Sequence, residues 1–438
     1  MGSEWQQFCL ADAGSIVTGK TPRGGIPEFE GSDVPFVTPP DFNGSMWIER
    51  ANRSISELGA QSVKGSIIPR GSVLVTCIGS DMGKAALTAS RCVTNQQINA
   101  VLVDETKFCP EFIYYNLSLR KDEIRGLAGG SAQPILNKSA FSQIRFWAPP
   151  LSEQRTIATA LRPLNDRIAL LRETNATLEA IAQALFKSWF VDFDPVHARA
   201  GGEQPAGLPP EVAALFPDSF EESELGMIPK GWGVQPIRDV VEGVYDGPHA
   251  TPPESDVGPV FLGIKNLTGT ALDLSDVRHI ADEDFIKWTK RVTPKAGDIV
   301  FSYEATLGFF ALIPDEVKCC LGRRLALIRP MAIDGHGHFW FHQFVAAPFQ
   351  RHLDKHTIQG ATVNRIALKE FPGYPVLNPP SELKQAFEVR AAAIWHKIHL
   401  NQKQAQTLAN LRDTLLPRLI TGQLRLPDAE AMVAEAQA

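Results

Sequence analysis

Residues 14–21 read GSIVTGKT and match the phosphate-binding pattern G-x-x-x-x-G-K-[ST] at every fixed position. Such a loop holds phosphates only where a buried strand precedes it and a helix begins at the lysine. Residues 4–13 mix polar and apolar side chains, unlike a buried parallel strand. Residues 22–27 contain two prolines and two glycines, which are incompatible with a helix. We therefore predict a glycine- and proline-rich loop here, without a nucleotide site.

A second pattern could bind Mg²⁺ in the manner of a nuclease. Asp298 with Glu316 and Lys318 follows a D…E-x-K arrangement, in which carboxylates hold the metal and the lysine orients the nucleophile. However, Glu316 lies in a predicted turn after Pro-Asp, and the other half of the chain has Ser72 at the position of Asp298. We keep a stand-alone Mg²⁺-dependent nuclease as an alternative function only.

Other potentially reactive side chains form weaker patterns. Residues 378–381 (NPPS) resemble an N-P-P-aromatic methyltransferase loop but lack its aromatic residue, so a proline-proline start of a helix is the better interpretation. His336 and His338 have no third metal ligand nearby in the sequence. The six cysteines include no C-x-x-C pair, and we expect buried, reduced thiols. The sequence thus predicts neither a catalytic nor a metal site.

Composition describes a globular protein of two to three domains. The chain has 438 residues, of which 44% are hydrophobic and 21% charged, with a net charge of -6. The acid is concentrated in residues 218–224 and in the tail, whereas residues 64–145 and 285–370 carry more Lys and Arg than Asp and Glu. No apolar stretch is long enough to span a membrane, and the N-terminus does not read as a signal peptide. We expect a cytoplasmic protein.

The chain contains an internal repeat with a period of about 230 residues. Residues 130–154 align with 360–384, including a Pro-Pro pair in each copy, and residues 67–75 align with 292–301. Short apolar segments between turns make each copy a predicted β-rich module.

A long predicted helix follows each module, with apolar residues at alternating steps of four and three. This spacing is typical of a coiled-coil seam, and two such narrow seams are best buried against each other. We predict an antiparallel pair that forms a bar on the order of 50 Å. The first seam comprises Ile157, Leu161, Leu164, Ile168, Leu171, Leu178, Ala182, Leu185 and Trp189, interrupted by Asn175, and the second comprises Phe387, Ala391, Ile394, Ile398, Asn401, Ala405, Leu408 and Leu415.

The phrases that flank these modules resemble a known family. Residues 173–202 (ETNATLEAIAQALFKSWFVDFDPVHARAGG), 148–161 (APPLSEQRTIATAL) and 410–424 (NLRDTLLPRLITGQL) are similar to the specificity subunit of type I restriction-modification systems, and the resemblance spans essentially the whole chain. GKTPRGGIPEFEGSDVPFV then corresponds to the family's G-x-T-P loop, which leads into the first recognition domain.

The resemblance implies a non-catalytic DNA-recognition subunit that reads a bipartite target and directs adenine methylation and ATP-dependent cleavage by its partners. Those partners would be modification (methyltransferase) subunits and a restriction (translocase/nuclease) subunit, which use S-adenosylmethionine, ATP and Mg²⁺, whereas this chain would bind no cofactor. A two-headed protein-binding scaffold is the remaining alternative. We predict an α+β fold with a first target-recognition domain (1–150), a central helix (151–191), a connector (192–231), a second target-recognition domain (232–380), a C-terminal helix (381–425) and an acidic tail (426–438).

We predict DNA contacts from polar and basic residues in the loops of each module, because these groups bond to base edges and phosphates. The candidates in the first module are Lys20, Thr21, Arg23, Lys84, Asn95, Gln96, Gln97, Ser131, Gln133 and Asn137. Those in the second module are His249, Lys265, Asn266, Tyr303, Arg323, Arg324, Thr362, Asn364 and Arg365.

Overall fold

The computed structural model describes residues 5–424, apart from residues 80, 129–134, 275, 332–334, 336 and 361–362. The chain divides into two compact units, residues 1–172 with 403–438 and residues 173–402. Each unit therefore contains one β-rich module and a part of both long helices. Within the described residues, no helix is long and apolar enough to cross a membrane.

The first unit is built on two sheets. The larger has five strands in the spatial order Gly14–Thr18, Ile98–Val103, Val73–Thr76, Ala85–Thr88 and Trp47–Ile48. The smaller has four, in the order Ser54–Ile55, Glu30–Val37, Cys92–Thr94 and Ile67–Ile68, and Gln6–Cys9 pairs separately with Arg145–Ala148. The helices are Leu10–Ala13, Glu57–Ser62, Pro110–Ser118, Lys121–Gly126 and Lys138–Ser142.

The second unit repeats this plan. Its main sheet has the order Val241–Asp246, Leu325–Pro330, Ile299–Ser302 and Phe310–Leu312, and a second sheet has the order Arg278–His279, Ser255–Leu262 and Cys319–Leu321. Strand pairs join Gly233–Pro236 to Pro375–Asn378, Leu267–Thr268 to Ala271–Leu272, and Thr357–Ile358 to Arg365–Ile366. Its shorter helices after the connector are Ile237–Val240, Asp282–Trp288, Gly337–Val345 and Ala347–Lys355.

The pairing confirms the internal repeat. In each unit the central strand pair of the main sheet is antiparallel, with Leu74 opposite Ala100 in the first unit and Val300 opposite Leu327 in the second. In each unit the second sheet contains a parallel pair, which aligns Phe36 with Val93 and Phe261 with Cys320. Every residue of Val73–Thr76, Cys92–Thr94, Ile299–Ser302 and Cys319–Leu321 is buried, so the apolar side chains of these strands form the centre of each module.

The long helices, Leu151–Phe190 and Ser381–Ile420, pair within each unit. In the first unit Leu161 and Leu408 lie in one core, and Arg412 Nη1 donates to Asn165 Oδ1 at 3.2 Å. In the second unit the rings of Phe186 and Phe387 lie 5.4 Å apart. Asn165 contacts Arg412, whereas Phe186, which is later on the first helix, contacts Phe387, which is earlier on the second. The two helices therefore run antiparallel, which confirms the predicted antiparallel coiled coil.

The Asn175 interruption of the seam is filled by hydrogen bonds. Asn401 Nδ2 donates to Asn175 Oδ1 at 2.8 Å, and Asn175 Nδ2 donates to the Ile398 carbonyl at 3.1 Å. Asn401 is buried, so these bonds satisfy amides that would otherwise cost free energy. A polar pair of this kind fixes the register of a coiled coil.

The segment 192–231, which is the predicted connector, contains short regular elements. It forms helices Asp194–Ala200 and Pro210–Ala213 and the hairpin Phe220–Ser223 with Gly226–Pro229. Its apolar residues join the aromatic core of the second unit, where Phe216 lies edge to face against Trp189 at 5.3 Å. The prolines and glycines that suggest a linker thus lie between apolar residues that pack into the core of the second unit.

Candidate nucleic-acid interface

Four loops of the first unit converge at one edge of the main sheet. Antiparallel neighbours bring the end of strand Gly14–Thr18, the start of Ile98–Val103 and the end of Val73–Thr76 together at that edge. The Gly19 amide donates to the Ile98 carbonyl at 3.0 Å, and the Cys77 amide donates to the Gln97 carbonyl at 2.7 Å. The Leu136 amide donates to the Cys77 carbonyl at 2.9 Å. These bonds define what we call the first loop cluster, the described residues 19–25, 76–79, 81–84, 95–97 and 135–137.

The opening G-x-x-x-x-G-K-T residues belong to this cluster. Residues 14–18 form an antiparallel strand, and no α-helix begins at Lys20, so the geometry of a phosphate loop is not met. Gly19 has a different role, because a Cβ atom there would lie 2.1 Å from the Asn95 carbonyl oxygen and 2.2 Å from Thr94 Oγ1. The glycine lets the loop approach residues 94–95, and beside it Thr21 Oγ1 donates to Gln96 Oε1 at 2.9 Å.

The second unit contains an equivalent loop cluster, residues 247–250, 263–266, 303–309, 322–324 and 364–366. The Gly247 amide donates to the Leu325 carbonyl at 3.0 Å, and the Tyr303 amide donates to the Arg324 carbonyl at 3.2 Å. The Ile366 amide donates to the Tyr303 carbonyl at 2.8 Å. Each bond matches one in the first loop cluster. Gly247 also matches Gly19, since a Cβ atom there would lie 2.4 Å from the Gly322 carbonyl oxygen.

An ionic group of three side chains lies beside the second loop cluster. Arg291 Nη1 donates to Asp246 Oδ1, and His249 Nε2 lies 3.0 Å from Asp246 Oδ2. Desolvation raises the pKa of the Asp246 carboxyl, but the hydrogen bonds from Arg291 and His249 outweigh it and leave the pKa below its usual value. Sequence analysis missed Arg291, whose only signal was its place beside Lys290 in a basic stretch.

The candidate readers of the first module lie on or beside the first loop cluster. Lys20, Thr21, Arg23 and Gln96 are exposed, whereas Asn95 and Gln97 are partly buried and bonded to each other at 2.8 Å. Lys84 forms a salt bridge with Asp81 at 2.8 Å. Asn137 Oδ1 accepts from the Ala140 amide at 2.9 Å and caps the helix Lys138–Ser142. Ser131 and Gln133 lie outside the described residues.

The candidates of the second module divide into exposed and buried side chains. Arg323, Arg365 and His249 are exposed, and Lys265 is exposed but paired with Asp276 at 2.8 Å. Arg324 and Asn364 are partly buried, and the Asn364 carbonyl accepts from the Ala305 amide at 3.1 Å. Thr362 lies outside the described residues.

Asn266 and Tyr303 hold the loops together. Asn266 is 2% exposed, and its Nδ2 donates to the carbonyls of Asp273 and Asp276, each at 3.0 Å. Tyr303 is 4% exposed, its hydroxyl donates to the Arg323 carbonyl at 2.8 Å, and burial raises its pKa to about 12. Because neither side chain presents a free edge to a ligand, we assign both to the support of the loops.

The nuclease-like residues do not form a metal site. Asp298 is buried and receives two hydrogen bonds from Arg329, of 2.9 Å from Nε and 2.7 Å from Nη2. Glu316 stands in a turn with a φ of 65°. No group of three or more His, Cys, Asp or Glu side chains in the described part of the chain could hold a metal ion.

The other reactive side chains also have structural partners. Asn378 donates to Gln235 and accepts from Lys384, each at 2.8 Å, so both ends of its amide are used. His338 Nδ1 lies 2.6 Å from Glu388 Oε1, and His336 is outside the described residues. Five of the six cysteines are buried, and burial raises the thiol pKa of Cys77, Cys92, Cys319 and Cys320 to about 12 in each case.

Comparison with known proteins gives three similarities. A family model described as the type I restriction modification DNA specificity domain matches residues 2–180. The type I restriction enzyme MjaIX specificity subunit of Methanocaldococcus jannaschii is 26% identical over 436 residues, which is 97% of this chain and 94% of that protein. The HindI specificity subunit of Haemophilus influenzae is 37% identical over 150 residues, 33% of this chain and 32% of that protein.

The fold also has a counterpart among solved structures. The crystal structure of a type I restriction-modification system S subunit from M. genitalium has a TM-score of 0.53 and 13% sequence identity. The alignment covers 95% of this chain and 96% of that chain, so the fold is shared over nearly the full length.

Proposed function

We propose that this chain, which is similar to type I restriction-modification specificity subunits, is a DNA-recognition subunit whose two loop clusters each read one half of a bipartite DNA target. One observation carries the proposal. The two clusters are built by the same backbone hydrogen bonds but display different side chains. A constant frame with variable exposed groups is what recognition of two different half-sites requires.

The exposed side chains have the chemistry of DNA contacts. Lys20, Arg23, Arg323 and Arg365 supply positive charge for phosphates, although the net charge of the chain is -6. Gln96 and Arg323 can also form paired hydrogen bonds with base edges in the major groove. The loops therefore offer both positioning and sequence-reading contacts.

We assign the chemical steps to partner subunits. A specificity subunit selects the DNA, so the complex needs modification subunits that methylate adenine with S-adenosylmethionine and a restriction subunit that uses ATP and Mg²⁺. The long helices are the natural place for these partners, because they carry exposed apolar residues such as Leu170 and Ile181. In this chain, residues 14–21 lack the helix start that a phosphate site needs.

The test is to assemble the chain with its modification subunits and map every methylated adenine on DNA. We expect one target consisting of two specified segments separated by unspecified bases. An uninterrupted target, or methylation without sequence preference, would contradict the proposal. The matched control is the modification subunits without this chain, which should methylate no specific site.

The two alternative functions make different predictions. A stand-alone nuclease would cut plasmid DNA with Mg²⁺ alone. However, both carboxylate oxygens of Asp298 accept hydrogen bonds from Arg329, which leaves this carboxylate unsuited to bind Mg²⁺. A protein-binding scaffold would give an assembled complex without salt-dependent DNA affinity. Affinity that falls steeply with added salt would instead indicate phosphate contacts.

A further inference from the structure

The two loop clusters differ most clearly at three equivalent positions. The first cluster has Asn95-Gln96-Gln97 where the second has Gly322-Arg323-Arg324. The equivalence is geometric. The Asn95 amide donates to the Val37 carbonyl at 3.3 Å, and the Gly322 amide likewise donates to the Leu262 carbonyl at 2.8 Å. At the other end of each triplet, the Gln97 carbonyl accepts from the Cys77 amide and the Arg324 carbonyl accepts from the Tyr303 amide.

The middle residue of each triplet is exposed. Gln96 and Arg323 thus lie at the same point of two equivalent frames, one with a carboxamide and the other with a guanidinium. From this difference we infer that Gln96 reads an adenine in one half-site and Arg323 reads a guanine in the other. The inference rests on the proposed DNA-recognition function and adds to it the base that each unit selects.

The surroundings of Gln96 favour adenine. Thr21 Oγ1 donates to Gln96 Oε1 at 2.9 Å, which fixes the direction of the amide. An amide oxygen has two lone pairs, so one remains for the adenine N6 amino group while Nε2 donates to adenine N7. Guanine presents two acceptors, O6 and N7, at these positions, and the oxygen of Gln96 would face one of them without a proton between them.

The surroundings of Arg323 favour guanine. Its guanidinium has no partner among the described residues, while its carbonyl is fixed by the Tyr303 hydroxyl at 2.8 Å. The backbone is therefore held and the side chain is available. A guanidinium donates two parallel hydrogen bonds to guanine O6 and N7, whereas adenine offers a donor at N6 that repels it.

The test is a pair of reciprocal substitutions in the complete complex, Gln96→Arg and Arg323→Gln, each followed by mapping of the methylated target. We expect Gln96→Arg to change one specified adenine to guanine in one half-site. We expect Arg323→Gln to change one specified guanine to adenine in the other. Gln96→Ala and Arg323→Ala should remove discrimination at the same positions, by about 5-fold to 150-fold, which corresponds to about 1–3 kcal/mol.

Further variants separate base reading from general effects. Thr21→Val should weaken discrimination only at the adenine read by Gln96, because it removes the hydroxyl that orients the amide. Gln61→Ala and Arg238→Ala, exposed side chains outside the loop clusters, are the controls and should leave the target unchanged.

Two outcomes overturn the inference and remain distinguishable from failure of the proposed function. An unchanged bipartite target in all Gln96 and Arg323 variants would show that these residues do not read bases. Uniformly weaker binding with the same target would show that they contact phosphates. Methylation without any specified sequence in the wild-type complex would contradict the proposed function itself.

Discussion

At the scale of single residues, His342 shows how burial sets a protonation state. It is 1% exposed, and its Nε2 accepts from Trp395 Nε1 at 3.1 Å. Desolvation, aided by the charge of His338, lowers the pKa of His342 from 6.5 to about 3. The folded protein therefore holds this imidazole neutral near pH 7, whereas the unfolded chain takes up a proton below pH 6.5.

This difference predicts acid destabilisation. Since the unfolded state binds the extra proton, the free energy of unfolding falls as pH falls from 6.5 toward 3, by about 1.4 kcal/mol per pH unit. Urea unfolding at pH 7 and pH 5 should show that His342→Gln removes about 2 kcal/mol of the loss seen in the wild type. The exposed His396→Gln is the control. Equal losses in wild type and His342→Gln would show that His342 does not carry this effect.

Lys20 gives a second prediction at this scale. Because the lysine is exposed on a loop and begins no α-helix, Lys20→Ala should leave ATP hydrolysis per assembled, DNA-bound complex unaltered. The measurement is the hydrolysis rate normalised to bound complex, with Gln61→Ala as control. ATP hydrolysis by the isolated chain that disappears with Lys20→Ala would refute the loop interpretation.

The sequence indicates the region of the candidate site better than the role of each residue in it. Polar residues in loops are natural candidates, and Lys20, Gln96 and Arg323 are indeed exposed. Asn266 and Tyr303 have the same residue chemistry but are buried by chain segments that fold over them. Arg291 forms a hydrogen bond with Asp246, which lies 45 residues earlier in the sequence, and no local sequence pattern indicates such a pair.

At the scale of elements, periodicity is strong enough to predict the two long helices and their pairing. The central helix begins at Leu151, directly after the Pro-Pro turn. The segment 192–231 could not be predicted in this way, because its short helices and hairpin show no hydrophobic periodicity. They are stabilised by contacts with Trp189 and other aromatic residues of the core. Local patterns reveal long amphipathic elements but not those defined by tertiary packing.

The seam gives the prediction at this scale. Leu408 is 1% exposed and lies in the core of the first unit, so Leu408→Asp would bury an unpaired charge and cost several kcal/mol. We expect a lower midpoint of thermal unfolding and failure to co-purify with the modification subunits. The exposed Gln404→Asp on the same helix is the matched control. Normal stability and assembly of Leu408→Asp would contradict a dry helix seam.

At the scale of the whole molecule, each compact unit combines one module with the adjoining parts of both long helices. The units separate within the helices, between residues 172 and 173 and between 402 and 403. The physical reason is that each helix segment joins the core of the module beside it: Ile157 lies in the core of the first unit, and the rings of Phe387 and Phe339 lie 6.4 Å apart in the second. A repeat visible in sequence identifies the modules, but the packing partners of a helix are set by the tertiary fold.

Because each unit has its own core and its own loop cluster, substitutions in one cluster should act on one half-site only. The double variant Arg323→Ala with Arg324→Ala removes two basic side chains of the second loop cluster. Tyr303 still anchors the Arg323 carbonyl in this variant. We expect one half of the methylated target to lose specificity, by about 1–3 kcal/mol for each lost bidentate contact.

The other half and the number of unspecified bases between the two halves should stay the same. The measurement is the consensus of methylated sites of the wild-type and variant complexes on one DNA library, with Arg238→Ala as the control. Loss of specificity in both halves together, or an altered spacing, would show that the two units do not read DNA independently.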